Sequence, residues 1–125
     1  MPRRMRLFAL RGAIDVEANE AQAILARTEE LMREVMERNA LGPEAFVSCI
    51  FTATTDLDAE FPAVAARRIG LDRVPLLCAR EIDRPGALPR VIRVLVHYHA
   101  AEDHQPRHVY LGEAKALRAD LEAAQ

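Results

Sequence analysis

VPLLCAREIDRPGALPRVIRVLVHY, residues 74–98, holds two apolar runs on either side of a turn containing Pro85, Gly86 and Pro89. Both runs are rich in β-branched and aliphatic residues, so they are expected to form two strands joined by a loop. Polar groups interrupt them at Cys78, Glu81 and Arg93. Arg93 lies between Ile92 and Val94, and its own strand face also carries Val91 and Leu95. An unpaired guanidinium in such surroundings carries a large desolvation cost. It therefore needs an anion, either Glu81 or a bound ligand.

The rest of the chain reads outward from this stretch. Met5 to Leu10 is expected to form a first strand that ends at Arg11-Gly12-Ala13, where Gly12 permits a bend or a close approach. Arg11 then stands at a strand end, facing either a ligand or solvent. Asn19 to Asn39 reads as the main helix, with Ile24, Leu25, Thr28, Leu31, Met32, Val35 and Met36 on one stripe. Asn19 is a suitable cap with Gln22 three residues on, and Gly42-Pro43 ends the segment. Phe46 to Thr54 reads as a second strand, apolar on both faces, with Cys49 an inert core thiol. Phe61-Pro62 opens a short helix that carries Arg67 and Arg68 and stops at Gly70. A polar loop from Ala101 to Arg107 leads to a short strand, His108 to Leu111, and a helical tail, Gly112 to Gln125. The pattern predicts one α+β domain over residues 1–125, a mixed sheet with its helices on one face. The other face is also apolar and too large for these helices to cover. A symmetric oligomer burying sheet against sheet would cover it.

Composition narrows the function classes. The 125 residues suit a single domain, half of them are hydrophobic, and the net charge of −2 offers no bulk attraction to nucleic acid. Of the 17 basic residues only Lys115 is lysine, and arginine suits two-point carboxylate binding. Cys49 and Cys78 form no CxxC pair, so neither a disulfide framework nor a zinc site is suggested. Asp56 and Asp58 lack the ligand spacing of a calcium loop. His97 and His99 share a strand face without a convincing third ligand. Arg3, Arg4 and Arg6 read as a solvated basic end rather than a nucleic-acid arm. The apolar run Leu7 to Leu10 is too short for a signal peptide, and no stretch approaches a membrane span. The expectation is a cytoplasmic protein with no membrane or nucleic-acid partner.

Several segments together resemble one enzyme family. They are Arg11-Gly12-Ala13 with Val16-Glu17, Thr52-Ala53-Thr54 with Asp56-Leu57, Phe61-Pro62-Ala63, Val74-Pro75 with Cys78, Glu81 and Asp83, Ile92-Arg93-Val94, Arg107 to Leu111, and Leu117-Arg118 with Asp120-Leu121. In order and spacing they resemble the monofunctional, homotrimeric bacterial chorismate mutases over nearly the whole chain. The resemblance implies a trimer closing into a pseudo-α/β barrel, with three sites at subunit interfaces. It implies rearrangement of chorismate to prephenate, on the route to phenylalanine and tyrosine, with no cofactor and no metal. Carried over by position, Arg11, Arg93, Tyr110, Glu81 and Cys78 match the principal site residues. Phe61, Ala63, Arg67, Leu76 and Leu77 match the pocket wall, and Leu117 and Arg118 the tail that folds over the site. Val64 departs from the lysine that relatives can carry there, and Leu77 replaces a smaller polar residue. Cys78 and Glu81 lie three apart, so a straight strand sets them on opposite faces, and the strand must bend or end between them if one site is to use both. Two other readings use a similar arginine grip on an anion: a trimeric imine or enamine deaminase, and a non-catalytic small-anion-binding regulatory module. Neither needs the joint Cys78, Glu81 and Arg93 set.

Overall fold

The computed structural model describes residues 3–117. Strand β1 (Met5–Asp15) is followed by helix α1 (Ala21–Arg38), strand β2 (Phe46–Ala53) and helix α2 (Pro62–Ala66), which runs into a wider turn over Arg67–Leu71. Strands β3 (Leu76–Arg80), β4 (Val91–Ala101) and β5 (Val109–Leu111) follow, and a 3-10 turn, Gly112–Ala114, leaves the sheet. The five strands form one sheet in the order β3-β2-β4-β1-β5. The inner pairs β1–β4 and β2–β4 are antiparallel, and the outer pairs β2–β3 and β1–β5 are parallel. This is the expected mixed α+β sheet. The two strands of the 74–98 stretch are not neighbours, however, because β2 lies between them.

Alternation assigns every side chain on the sheet to one of two faces. Phe8, Leu10 and Ile14 of β1, Cys49 and Phe51 of β2, and Ile92, Val94, Val96 and Tyr98 of β4 form one buried cluster with Ile24, Leu31, Met32 and Val35 of α1 and with Ala63 and Ala66 of α2. Both helices therefore cover the same face. The apolar stripe of α1 is buried as its spacing requires, with only Met36 left half-buried. Gly12 faces α1, where a Cβ would meet the Val109 carbonyl oxygen at 3.1 Å, Leu31 Cδ1 at 3.2 Å and Val94 Cγ1 at 3.3 Å. Its role is close packing, not a bend.

Three local expectations are corrected. β1 does not end at Leu10 but continues to Asp15, because pairing with β4 on one side and β5 on the other gives Arg11–Ile14 partners. Asn19 does not cap α1. Glu20 holds that position without a side-chain bond, while Asn19 Oδ1 accepts from the backbone N–H groups of Asp58 and Ala59 and its Nδ2 donates to Asp58 Oδ1 at 2.7 Å. Three bonds to a distant loop outweigh one local cap. The helix also stops before Gly42, with Ala40 turning the chain at φ 52°. In the tail, the 3-10 turn and helical residues 115–117 begin the expected helix, and Arg118, Asp120 and Leu121 lie outside the described residues.

Candidate active site

The face of the sheet without helices carries the candidate chemistry. Register places Tyr110 of β5, Ala13 of β1, Arg93 of β4, Thr52 of β2 and Ala79 of β3 in one row across all five strands. Side chains of paired residues project to the same side, so the row is a single strip of surface. Arg11, Leu95, Ile50 and Leu77 make the adjacent row.

Arg93 has the anionic partner its position demands. Its Nη1 donates to Glu81 Oε1, the Arg93 side chain being 30% exposed and that of Glu81 16%. Glu81 is the first residue beyond β3, and its N–H donates to the Ala53 carbonyl at 3.0 Å, which extends the β2–β3 ladder by one step. That step turns the Glu81 side chain over the open face. Its second oxygen, Oε2, accepts from Thr52 Oγ1 at 2.6 Å. The sequence reading named Glu81 for Arg93 but assigned nothing to Thr52. The only signal was a hydroxyl within the apolar run of β2.

The base of Arg93's strand is pinned as well. Arg90, at φ 50°, donates its N–H to both oxygens of Asp56, at 3.2 and 3.0 Å, while its Nε donates to the Val16 carbonyl at 3.0 Å. Thr54 Oγ1 donates to Asp56 Oδ1 at 2.5 Å and accepts from the Val91 N–H at 3.0 Å. Asp56 thus holds a left-handed residue that costs about 1–2 kcal/mol for a side chain other than glycine. The loop aspartates fix the backbone: Asp56 the entry to β4, Asp58 the contact with Asn19. His97, on the open face, meets Ser48 Oγ through Nδ1 at 3.2 Å, and His99 is exposed.

Arg11 is exposed within β1, and its backbone N–H donates to His108 Nδ1 at 3.0 Å. Its guanidinium has no partner among the described residues. Tyr110 is buried in a small cluster with Ala13, Val91 and Ala114, against which Leu88 and Leu117 pack. Arg93, Glu81, Arg11 and Tyr110 therefore occupy one end of the open face.

Cys78 does not join them. It pairs with Phe51 and points to the helix side, where it helps line a cleft of about 380 Å³ together with Leu57, Phe61, Pro62 and Arg80. β3 ends before Glu81, yet the alternation is kept, so Cys78 and Glu81 stay on opposite sides. Phe61 stands 67% exposed at the mouth of this cleft. Leu76 is half-buried on the helix side, Leu77 is exposed on the open side, Ala63 is buried in the first turn of α2, and Arg67 is exposed at its end. One chain thus carries two separate groups, a charged one on the open face and a sulfur- and phenyl-lined cleft on the helix side, with the sheet between them. Burial pushes the Cys49 thiol up to about 12, which makes it the inert core cysteine expected.

The chain matches the family model for chorismate mutase type I over residues 7–121. It is 51% identical over 118 residues to the chorismate mutase AroH of Thermus thermophilus, covering 93% of this chain and 97% of that one. It is 39% identical over 119 residues to the chorismate mutase AroH of Bacillus subtilis (strain 168), covering 94% of each. A solved chorismate mutase from Clostridium thermocellum superposes with a TM-score of 0.82 at 45% identity, over 87% of this chain and 98% of that one.

Proposed function

The chain belongs to the type I chorismate mutase family and is an isomerase that converts chorismate to prephenate in aromatic amino-acid biosynthesis; on that premise we propose that it acts at sites shared between subunits of a homotrimer, with Arg93 as the principal catalytic group. The family match sets aside the deaminase and the non-catalytic module. The observation that carries the site assignment is the half-buried Arg93–Glu81 pair at one end of the open face, with Arg11 and Tyr110 at the same end.

The reaction is a unimolecular pericyclic rearrangement that needs no nucleophile and no proton transfer. Its first requirement is to hold the enolpyruvyl arm over the ring, an entropic task. Arg11 and Tyr110 are proposed to hold the side-chain carboxylate. The second requirement is to stabilise charge as the C–O bond breaks. Negative charge grows on the ether oxygen, and the Arg93 N–H groups not engaged by Glu81 meet it. Glu81 accepts a hydrogen bond from the ring hydroxyl and, with the Cys78 sulfur, balances positive character on the ring. Phe61, Ala63, Arg67, Leu76 and Leu77 form the wall, and Leu117 and Arg118 the cover. Metal and redox cofactors have no task in these steps.

Two features support the shared site and the trimer. Cys78 and Arg93 lie on opposite sides of the sheet, so a site that uses both takes them from different subunits. The open face also leaves Leu77 60% exposed beside Ile50 and Leu95, and Leu7 53% exposed further along β1, apolar surface suited to burial against another sheet in a pseudo-α/β barrel. No helix among the described residues is long and apolar enough to cross a membrane. The proposed location is the cytoplasm, in keeping with a biosynthetic enzyme. The test is direct: purified protein is mixed with chorismate and the loss of its ultraviolet absorbance is followed, before and after exhaustive EDTA treatment. Turnover that survives chelation supports the reading. Turnover abolished by EDTA and restored by zinc overturns it.

A further inference from the structure

We propose that Thr52 is a positioning residue for the reaction: its hydroxyl holds one oxygen of Glu81 and keeps the carboxylate from closing on Arg93 as a two-point pair. The inference rests on the roles given above to Arg93 and Glu81. Thr52 and Arg93 are direct cross-strand partners on the open face, so their Cβ atoms are about 4.5–5.5 Å apart. Glu81 reaches over both. Its oxygens are divided, Oε1 to Arg93 Nη1 and Oε2 to Thr52 Oγ1 at 2.6 Å.

The division matters because arginine and a carboxylate tend to meet through two parallel N–H···O bonds. Such a fork would spend two guanidinium N–H groups on Glu81. It would also hold the carboxylate against the charge that the ether oxygen must meet. With Oε2 taken by Thr52, the contact is through Nη1 alone, and the other N–H groups of Arg93 have no partner among the described residues. Threonine suits this task because branching at Cβ stiffens χ1 and so fixes the hydroxyl. The backbone of Glu81 is tied to the same strand through the Ala53 carbonyl at 3.0 Å. Strand β2 therefore sets both the main chain and the side chain of Glu81.

The experiment compares steady-state kinetics of Thr52→Val, Thr52→Ser, Glu81→Gln and the double variant Thr52→Val/Glu81→Gln, with thermal unfolding as a check on folding. Valine keeps the shape and removes only the hydroxyl, and Thr52→Ala repeats the comparison if valine disturbs folding. Loss of a hydrogen bond to a charged group predicts a fall in kcat of about tenfold or more for Thr52→Val, with a smaller change in KM. Thr52→Ser should recover most of that loss. The double variant should be no slower than Glu81→Gln alone, because a residue that acts through Glu81 has nothing left to position. A kcat for Thr52→Val within about twofold of the parent overturns the proposal, as does an equal loss in both backgrounds. Parental activity of Glu81→Gln overturns the role of Glu81 itself, which a slow Glu81→Gln paired with a fast Thr52→Val would leave standing.

Discussion

The helix-covered face and the open face of the sheet are drawn from the same strands in strict alternation, yet they treat polar groups differently. On the covered face Leu10, Ile14, Phe51, Ile92 and Val96 are sealed from solvent, and the titratable groups among them, Cys49 and Tyr98, are both pushed up to about 12 by burial. On the open face Arg93, Glu81 and Thr52 are half-buried, with Arg93 and Thr52 each bonded to Glu81, Arg11 is exposed, and Leu7 and Leu77 have no cover among the described residues. A one-residue step along β1 or β4 crosses from one regime to the other. The covered face buries no charged side chain and holds the chain folded. The open face keeps charge and leaves it addressable, so substitutions on the two faces should separate stability from catalysis.

The largest expected effect is at Arg93. Its target, the ether oxygen, is a weak acceptor in chorismate and a strong one as the bond breaks. Arg93→Ala should therefore lower kcat by at least ~10²–10³-fold, the range for losing one oxyanion donor. Arg93→Lys should remain poor, because a point donor does not reproduce the guanidinium fork. Circular dichroism should show both variants folded. A near-normal kcat with only KM raised would make Arg93 a binding residue and remove the sharpest contrast between the faces.

Next in size is a pair on one strand. Leu10 faces the helices and is fully buried, whereas Leu7 faces outward. Leu10→Ala should cost about 2–5 kcal/mol of stability. Leu7→Asp should cost the fold of the chain little but disrupt assembly. Light scattering on the parent should give about three times the 14.0 kDa chain mass, and Leu7→Asp should shift it towards one. An active parental monomer would defeat the shared-site model, and equal losses of stability in the two variants would erase the distinction between faces.

The arginines differ within the open face. Arg11 is proposed to meet a carboxylate that is charged before, during and after reaction. Arg11→Ala should raise KM at least as much as it lowers kcat, since it deletes largely uniform binding. A variant that loses only kcat would place Arg11 with Arg93 as a transition-state group.

Most of this division was legible in the sequence. The apolar, β-branched-rich runs of residues 46–54 and 91–98 marked the strands, and a guanidinium amid Ile92, Val94 and Leu95 demanded the partner that Glu81 supplies. The parity conflict between Cys78 and Glu81 was visible as well, and the structure keeps the two on opposite sides of the sheet. Strand order was not legible, because alternation reports which face a residue takes and not which strand lies beside it. The insertion of β2 between β3 and β4 depends on long-range pairing. Thr52 was missed for the same reason, since its partners lie 29 residues away at Glu81 and across the ladder at Arg93. Asn19 misled because a local cap and a distant loop compete for the same side chain, and only the folded chain brings the loop near.

The smallest effect concerns pH and contrasts the faces once more. No group on the open face has to exchange a proton during the rearrangement, so kcat should be flat across neutral pH, and a bell-shaped profile with histidine limbs would indicate acid–base chemistry instead. The covered face should respond to alkali. Burial raises Cys49 from 9.0 to about 12 and Tyr98 from 10.0 to about 12. Between those values the unfolded chain has released protons that the folded chain retains. The unfolded state then binds fewer protons, so unfolding becomes easier as pH rises. This contribution is fully present below about pH 9 and is lost as pH climbs through about 12. Urea unfolding at a series of pH values should show a midpoint that is steady up to about pH 9 and declines between there and about pH 12. Cys49→Ala should decline less steeply than the parent, because it removes one of the two groups while leaving every other titration in place. Equal slopes for parent and variant would mean that Cys49 titrates alike in both states, and the covered face would lose its claim to exclude charge at that position.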